Sequence, residues 1–331
     1  MKKLLSIVCV CMAVALVFLM PACNNNKGDE PFLDGRLSIV AMNGSTMIGL
    51  GQFYNTVKND ANSKYKIEKL GTADAVIAGL ANRTYDVACL PANNASILFN
   101  TQAVGIQVVA INTLNVLYVV RKASASAVNS LLDLAGKTVY LPGQGSTPEF
   151  VFRYLLFKNG INNVNLQFES EGATIATGIK TAGSKYDYAV LPQPVATVAT
   201  SGAGAGVLAI NLSDEWKKFN PNSDIVTGVL VVRTAFIKNN KDTLDKFLAE
   251  YKQSVEFMTA EENLDVASQY VVDMGVVPQV QIAKSALPKC GVTYVEKAEM
   301  KRMLVDFYTV LYAQNANAIG GKLPSDGFYY L

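Results

Sequence analysis

The sequence contains no histidine, one tryptophan and five cysteines among its 331 residues. Without an imidazole there is no Ser-His-Asp triad, no histidine metal site and no histidine general base. Proton transfer or covalent chemistry would have to use carboxylates, lysine, tyrosine, cysteine, or serine paired with lysine. The absence of histidine therefore excludes the commonest designs of hydrolase and metalloenzyme.

The sequence also has no block of basic residues. It holds 29 basic and 27 acidic side chains in total. Lys2 and Lys3 belong to a predicted leader without acids, which leaves 27 residues of each sign in the rest of the chain. A neutral surface without a basic patch argues against nucleic acid as a partner.

The N-terminus has the form of an export signal. Lys2 and Lys3 precede an apolar run over residues 4–20, which is short for a membrane-spanning helix. The run ends near Cys23, and a polar segment follows. This pattern resembles a bacterial lipoprotein leader, which implies a signal peptide over 1–22, a lipidated Cys23 and a tether over 23–35. An ordinary cleaved signal, with Cys23 incidental, is the alternative.

Two cysteines lie far from this leader. Cys89 belongs to an apolar strand pattern, and Cys290 ends a short helical pattern. A disulfide between them is possible in an oxidising compartment, but the pattern favours two buried thiols. Neither has a histidine partner that could form a catalytic thiolate.

One offset of 101 residues aligns three separate loops of the chain. Each aligned loop follows a short apolar run and precedes a helical pattern. The offset brings Gly44 onto Gly145, Gly71 onto Gly172, and residues 85–91 onto 186–192. Internal repeats of this kind indicate duplicated supersecondary units. The sequence therefore predicts two lobes of related design, each with three strand-to-helix loops.

From Arg36 onward, short apolar strands alternate with helical segments, which is the signature of an α/β protein. Residues 117–122 and 230–234 share a Val-Val-Arg sequence and bracket the second set of loops. We interpret them as strands where the chain crosses a hinge. The first lobe is predicted to span 36–115 and 229–331, and the second lobe 116–228.

Polar residues are expected to open several helices. Ser45 or Thr46 would cap a helix over 46–59, and Thr72 would open the next one. Asn93 or Asn94 would cap a third helix that continues to Asn100. A capping role alone is also the alternative to ligand binding for each of these side chains.

The aligned loops would lie at the carboxyl ends of their strands, where open α/β sheets bind ligands. Gly44 and Gly145 permit close backbone approach, and their neighbours supply hydroxyls and amides. None of these loops contains arginine or lysine, so an anionic group would depend on neutral donors. Glu149 and Glu171 are expected near the mouth of the cleft.

The chain from Arg36 onward resembles the type II periplasmic-binding-fold solute receptors of ABC importers. Within them it is similar to the group for nitrate, sulfonate, taurine, bicarbonate or thiamine-pyrimidine uptake. The resemblance rests on the motifs at 43–46, 85–88, 131–137, 143–149, 186–194 and 233–251. It implies two α/β lobes joined by two hinge-crossing strands, with a ligand enclosed between them and delivered to a membrane permease.

The resemblance also implies which side chains face the ligand. By carry-over these are Ser45, Thr46, Thr72, Asn93, Gln144, Ser146, Thr147 and Gln193. The loop analysis adds Asn43, Asn94, Asn112, Gly145, Glu149 and Glu171. Related receptors often carry glutamate where Gln193 stands, and sulfonate and nitrate receptors tend to use a basic side chain that these loops lack. A neutral or zwitterionic organic solute is therefore favoured.

The sequence predicts a non-enzymatic receptor of an ABC importer, lipid-anchored at Cys23 on the extracytoplasmic face of a membrane, in the periplasm or at the cell surface. It would enclose a small polar organic solute, sulfonate/taurine-like or thiamine-pyrimidine-like, and act as a monomer without metal or cofactor. The alternative is a secreted hydrolase that uses Glu149 and Glu171 as acid and base. A third hypothesis is a surface interaction protein with a filled cleft.

Overall fold

Two β-sheets organise the protein in this computed structural model, which describes residues 36–101 and 104–331. The first sheet has six strands in the order β11-β4-β10-β3-β1-β2, and the second has five in the order β7-β6-β8-β5-β9. The strands of the first sheet are β1 Leu37–Met42, β2 Tyr65–Leu70, β3 Val87–Pro91, β4 Ile106–Leu114, β10 Val226–Arg233 and β11 Val292–Val295. Those of the second are β5 Leu117–Arg121, β6 Thr138–Pro142, β7 Asn165–Glu169, β8 Tyr188–Pro192 and β9 Val207–Asn211.

Helices connect these strands and cover the sheets. The early ones are α1 Ser45–Ile48, α2 Gly51–Val57, α3 Ala73–Ala81, α4 Ala92–Asn100, α5 Thr147–Lys158, α6 Gly172–Lys180, α7 Val195–Ala199 and α8 Leu212–Phe219. After β10 follow α9 Thr234–Asn239, α10 Lys241–Thr259, α11 Leu264–Asp273, α12 Val280–Ala286 and α13 Lys297–Gln314. Single 3-10 turns lie at Leu131–Leu134, Glu261–Asn263, Leu287–Lys289, Ala316–Ile319 and Asp326–Phe328.

The two sheets repeat one topology, which confirms the two-lobed α/β fold. In the first, β1 pairs in parallel with β2 and β3, and β10 runs antiparallel to β3 and β4. In the second, β6 pairs in parallel with β7 and β8, and β5 runs antiparallel to β8 and β9. The offset of 101 residues therefore carries the parallel strands of one sheet onto those of the other. We call the parts built on these sheets the first lobe and the second lobe; their boundaries in the chain stay a prediction.

Strand β3 shows how the apolar pattern fixes the sheet within the first lobe. Its five residues are all buried. Ala88 and Leu90 pack in one apolar cluster, while Val87 and Cys89 pack in another. Because successive side chains of a strand point to opposite faces, this division places helices on both faces of the sheet.

Equivalent polar contacts also recur in the two lobes. The hydroxyl of Tyr85 donates to Glu68 Oε2 at 2.5 Å, and that of Tyr186 donates to Glu169 Oε1 at 2.6 Å. Tyr186 follows Tyr85 by 101 residues, and Glu169 follows Glu68 by the same 101 residues. Burial and the bond to Glu68 raise the pKa of Tyr85 to about 12. The repeat thus extends from backbone topology to side-chain contacts.

The chain passes between the lobes at two segments that are hydrogen-bonded to each other. Asn115, between β4 and β5, has a left-handed φ of 57°. Its backbone N–H donates to Ile225 O at 3.0 Å, and its Oδ1 accepts from Ile225 N at 3.0 Å. Its Nδ2 donates to Asp224 Oδ1 at 2.9 Å, which also pairs with Lys217 Nζ at 2.8 Å. Burial opposes ionisation of Asp224, but these two donors leave its pKa below the usual value.

The expected single helix over 46–59 is wrong. The structure has α1 and α2 instead, and Gly44 rather than Ser45 or Thr46 precedes the first of them without a side-chain cap. The interruption includes Gly49, which packs against α10. A β-carbon at Gly49 would lie 2.8 Å from the Tyr251 hydroxyl, so the close packing requires glycine.

The predicted caps have mixed outcomes. Thr72 opens α3 as expected, since its Oγ1 accepts from Ala75 N at 3.3 Å. Pro91 precedes α4, however, and Asn93 and Asn94 lie inside its first turn, so neither asparagine is a cap. Their side chains are therefore available for contacts beyond their own helix.

Both cysteines of the described residues are free thiols in the core, as predicted. Burial raises the pKa of Cys89 to about 12 and also raises that of Cys290, so both stay protonated. Within residues 36–101 and 104–331, no helix is long and apolar enough to cross a membrane. The predicted leader, Cys23 and the tether lie outside the described residues.

Asp86 and its repeat partner Asp187 offer a matched test of the fold. The Asp86 carboxylate is buried and binds Arg233 and the backbone of Ser38. Asp187 lies 3.8 Å from Lys122, and its side chain is 56% exposed. We expect Asp86→Asn to lower the free energy of unfolding by about 3 kcal/mol, because the Asp86 carboxylate is itself buried and is the charged partner of Arg233. Asp187→Asn should cost less than about 1 kcal/mol.

Urea denaturation of both variants, followed by circular dichroism, checks this prediction. Equal losses of stability in the two variants would contradict it.

Candidate functional site

Loops from the two lobes face each other at the carboxyl ends of their parallel strands. At the mouth, a β-carbon on Gly71 would lie 3.8 Å from Glu171 Oε1. At a second contact between the lobes, Val198 of α7 packs against the first-lobe cluster that contains Ile48. At a third contact between the lobes, Asn93 Nδ2 donates to Gly145 O. The lobes thus meet around the loops where the sequence predicts a ligand.

The loop between β6 and α5 is held in shape by its own side chains. Gly145 N donates to Glu149 Oε2 at 2.7 Å, and Arg153 Nε donates to Glu149 Oε1 at 2.7 Å. Ser146 Oγ donates to Gly143 O at 2.5 Å and lies 3.2 Å from Pro142 O. Both oxygens of the buried Glu149 carboxylate therefore serve this loop.

Asn93 joins that loop to the first lobe. Its Nδ2 donates to Gly145 O at 2.9 Å, and its Oδ1 accepts from Thr147 Oγ1 at 2.8 Å. A weaker contact of 3.5 Å runs from Nδ2 to Ala318 O within the first lobe. Asn93 and Thr147 are fully buried. Three predicted ligand contacts, Asn93, Gly145 and Thr147, are therefore bonded to one another across the cleft.

Asn112 fixes the β1–α1 loop against the sheet. Its Nδ2 donates to Thr46 O at 3.2 Å, and its Oδ1 accepts from Thr113 Oγ1 at 3.0 Å. Gly228 makes room for this contact, because a β-carbon there would lie 2.5 Å from Asn112 Oδ1. Thr46 Oγ1 donates back to Met42 O. The structure therefore gives Thr46 and Asn112 contacts within the first lobe.

At the end of β8, the buried side chain of Gln193 has a donor group, Nε2, that lacks a hydrogen-bond partner among the described residues. Its Oε1 accepts from Thr197 Oγ1 at 2.7 Å, and its backbone N–H donates to Val116 O at 2.9 Å. The Nε2 group is buried and finds no partner among the described residues. Leaving a buried donor unsatisfied costs roughly 1–3 kcal/mol, so an acceptor on a ligand would be favoured there.

Two further polar groups of the first lobe are free to hydrogen-bond to a ligand. Within the described part of the chain, Asn94 Oδ1 is buried and unpaired. Ser45 is mostly buried as a residue, and no hydrogen bond of its hydroxyl is found in the same part of the chain. Other predicted contacts lie on the exposed rim of the cleft. These are Asn43, Thr72, Gln144 and Glu171.

The neighbours that hold these side chains were not part of the predicted site. Arg153 follows Glu149 by four residues, and Thr197 follows Gln193 by four, a spacing that brings side chains together on one helix face. That spacing could have revealed both partners. The Ala318 carbonyl could not be found this way, since its contact with Asn93 spans 225 residues of sequence.

Comparison with known proteins agrees with the two-lobed fold. A family model described as NMT1/THI5 like matches residues 66–263. An ABC transporter structure from Parabacteroides distasonis is similar at 20% identity with a TM-score of 0.73, covering 90% of this chain and 99% of that one. A search of the curated proteins found no match.

Two other solved structures share the fold. One is the periplasmic aliphatic sulphonate binding protein SsuA from Escherichia coli, at 13% identity and a TM-score of 0.70, covering 90% of this chain and 92% of that one. The other is the periplasmic nitrate-binding protein NrtA from Synechocystis PCC 6803, at 10% identity and a TM-score of 0.61, covering 89% and 91%. The TM-scores show a common fold with both proteins.

The contrast between Glu149 and Glu171 can be tested by stability. Glu149→Ala removes the acceptor for Gly145 N and the partner of Arg153, and we expect it to cost about 1–3 kcal/mol. Glu171→Ala removes a carboxylate without a partner in the described residues and should cost less than about 1 kcal/mol. Thermal and urea denaturation measure both effects, and a larger loss for Glu171→Ala would contradict the contacts described.

Proposed function

The chain belongs to the NMT1/THI5-like family, and on that premise we propose that it is the solute-binding component of an ABC import system. The observation that carries the proposal is the meeting of strand-end loops from two similar lobes around polar groups that lack partners. Residues 36–115 with 229–331 would form one lobe and 116–228 the other.

Ligand capture would follow from closure of the lobes about the two crossing segments. A solute that contacts both lobes favours the closed arrangement over the open one, because it has more contacts in the closed form. The crossing at Asn115 and Ile225 supports such a motion, since only short segments join the sheets there. The closed form would then engage the permease.

The groups around the cleft favour a neutral or zwitterionic solute. Gln193 Nε2 offers a neutral donor and Asn94 Oδ1 an acceptor, and the hydroxyl of Ser45 can serve as either. The aligned loops supply no lysine or arginine. Of their carboxylates, those of Asp86, Glu149 and Asp187 have partners, whereas Glu171 has none among the described residues. A sulfonate/taurine-like or thiamine-pyrimidine-like solute fits these groups, through hydrogen bonds rather than a bidentate cation.

A hydrolytic role for Glu149 and Glu171 finds no support in the contacts. General acid–base catalysis needs a carboxyl group that can reach the reacting atoms. Both Glu149 oxygens bind Gly145 and Arg153 instead. A receptor without enzymatic activity is therefore the function we propose.

The proposed location follows from the N-terminal pattern and from the family. A lipid on Cys23 would hold a monomeric receptor at the extracytoplasmic face of the membrane, close to its permease. Mass spectrometry of the mature N-terminus, with Cys23→Ser as the control, distinguishes a diacylglyceryl group on Cys23 from an ordinary signal cleavage.

A substitution at Gln193 tests the proposed site. Gln193→Glu keeps an oxygen for Thr197 but replaces the unpaired Nε2 donor with an acceptor. We expect it to weaken solute binding at least about tenfold, the effect of roughly 1.4 kcal/mol. Gln167→Glu, the same change at an exposed position of β7, should leave binding unaltered.

The solute would first be identified by native mass spectrometry of the purified protein, and by thermal-shift screening against taurine, methanesulfonate and aminopyrimidines. Calorimetry then compares the two variants. The proposal fails if no small molecule copurifies with the protein or stabilises it.

A further inference from the structure

The contacts between the lobes indicate an approximate two-fold relation between them. The β2–α3 loop at Gly71 lies against the β7–α6 loop at Glu171, and these loops are equivalent in the repeat. The segments that lead into β5 and β10 likewise bond to each other, at Asn115 and Ile225. When equivalent elements touch each other, the axis that exchanges the lobes passes near their contact. The axis therefore runs through both the crossing segments and the mouth of the cleft.

This relation implies that each off-axis contact has a counterpart. Asn93, just after β3, binds the β6–α5 loop through Gly145 and Thr147. By the two-fold relation, we expect the counterpart contact between the end of β8, with Gln193, and the β1–α1 loop that contains Ser45. On this side Val198 of α7 packs against the first-lobe cluster that contains Ile48 of α1, and α7 lies beside α12 of the same cluster.

The Asn93 side and the Gln193 side of the cleft differ in how the amide group is hydrogen-bonded. On the Asn93 side, the amide is satisfied by the opposite lobe, with bonds of 2.9 Å and 2.8 Å. On the Gln193 side, the amide nitrogen is buried without a partner in the described residues. The Ser45 hydroxyl of the facing loop makes no hydrogen bond there either. One half of the cleft is therefore closed by protein atoms, and the other keeps an unmet donor.

We infer that these halves have different tasks. Asn93 is a latch that holds the lobes together, and the half between Gln193 and the β1–α1 loop receives the solute. The buried end of the solute then carries an acceptor, such as a carbonyl, carboxylate or sulfonyl oxygen, for Gln193 Nε2. The assignment of the Gln193 half to the solute rests on the proposed function, whereas the role of Asn93 as a latch does not.

The orientation of the Asn93 amide is well determined by its surroundings. Its nitrogen lies near two carbonyl oxygens, those of Gly145 and Ala318, and its oxygen faces the Thr147 hydroxyl. The flipped amide would set oxygen against oxygen on two sides. Glu149 holds Gly145 in place from within its own loop. The latch therefore joins two ordered parts.

Substitutions at both ends of the latch test it in the mature protein without solute. Asn93→Ala removes both interlobe bonds, and Thr147→Val removes one while keeping the side-chain shape. Each should shift the closed-to-open ratio toward the open form by about 5- to 30-fold. Small-angle X-ray scattering would show a larger radius of gyration, and hydrogen exchange would be faster over residues 143–149.

Ser96→Ala is the matched control. Ser96 lies one turn after Asn93 in α4, is equally buried, and donates to Ile319 O at 2.8 Å within the first lobe. Its loss should lower the melting temperature without changing the scattering. If Asn93→Ala fails to fold, Thr147→Val decides the matter.

Unchanged scattering in the latch variants, or the same change in Ser96→Ala, would overturn the latch whether or not a solute is ever found. Once the proposed function has supplied a solute, calorimetry tests the other half. Gln193→Glu should weaken binding more than Asn93→Ala, which affects binding only through closure. A greater loss for Asn93→Ala, with unchanged scattering, would make Asn93 a ligand contact and refute the division of tasks.

Discussion

The arrangement of the whole molecule depends on the hydrogen bonds between its two crossing segments. Asn115 exchanges two bonds with Ile225, so the chain leaves the first sheet and returns to it at one place. Asparagine suits this position because it tolerates a left-handed backbone better than most residues, here at a φ of 57°. The crossings are fixed there, and the strand-end loops of the two lobes meet at Gly71 and Glu171 and at Asn93 and Gly145.

Much of this fold could be predicted from the sequence, because each strand and loop of the repeat shows as a short pattern of neighbouring residues. Each apolar run of the aligned loops is a strand, and the strand predicted within 117–122 is β5, Leu117–Arg121. Helix starts were harder to predict. Gly49 packs against Tyr251 of α10 where the first expected helix is interrupted, a contact across about 200 residues that no local pattern contains.

The same limit applies to the candidate site. The loops, their glycines and their polar residues could be found from strand ends and the 101-residue offset. Which polar atoms are free could not, since it depends on partners in the other lobe. Asn93 and Gln193 look alike in sequence, as amides after a strand and a proline. Only the fold shows that the first has its partners across the cleft and that the second lacks one.

The absence of cations from the facing loops has a consequence for how such a cleft closes. Attraction between unlike charges acts over several ångströms and is screened by salt. Neutral hydrogen bonds act only near 3 Å and require alignment, so they add little until the lobes are almost in contact. Closure through Asn93, Thr147 and a solute on Gln193 would therefore be abrupt and depend little on ionic strength. Under the proposed function, a solute would have to fit the closed geometry to stabilise it, and selectivity would arise from shape and donor placement rather than from charge.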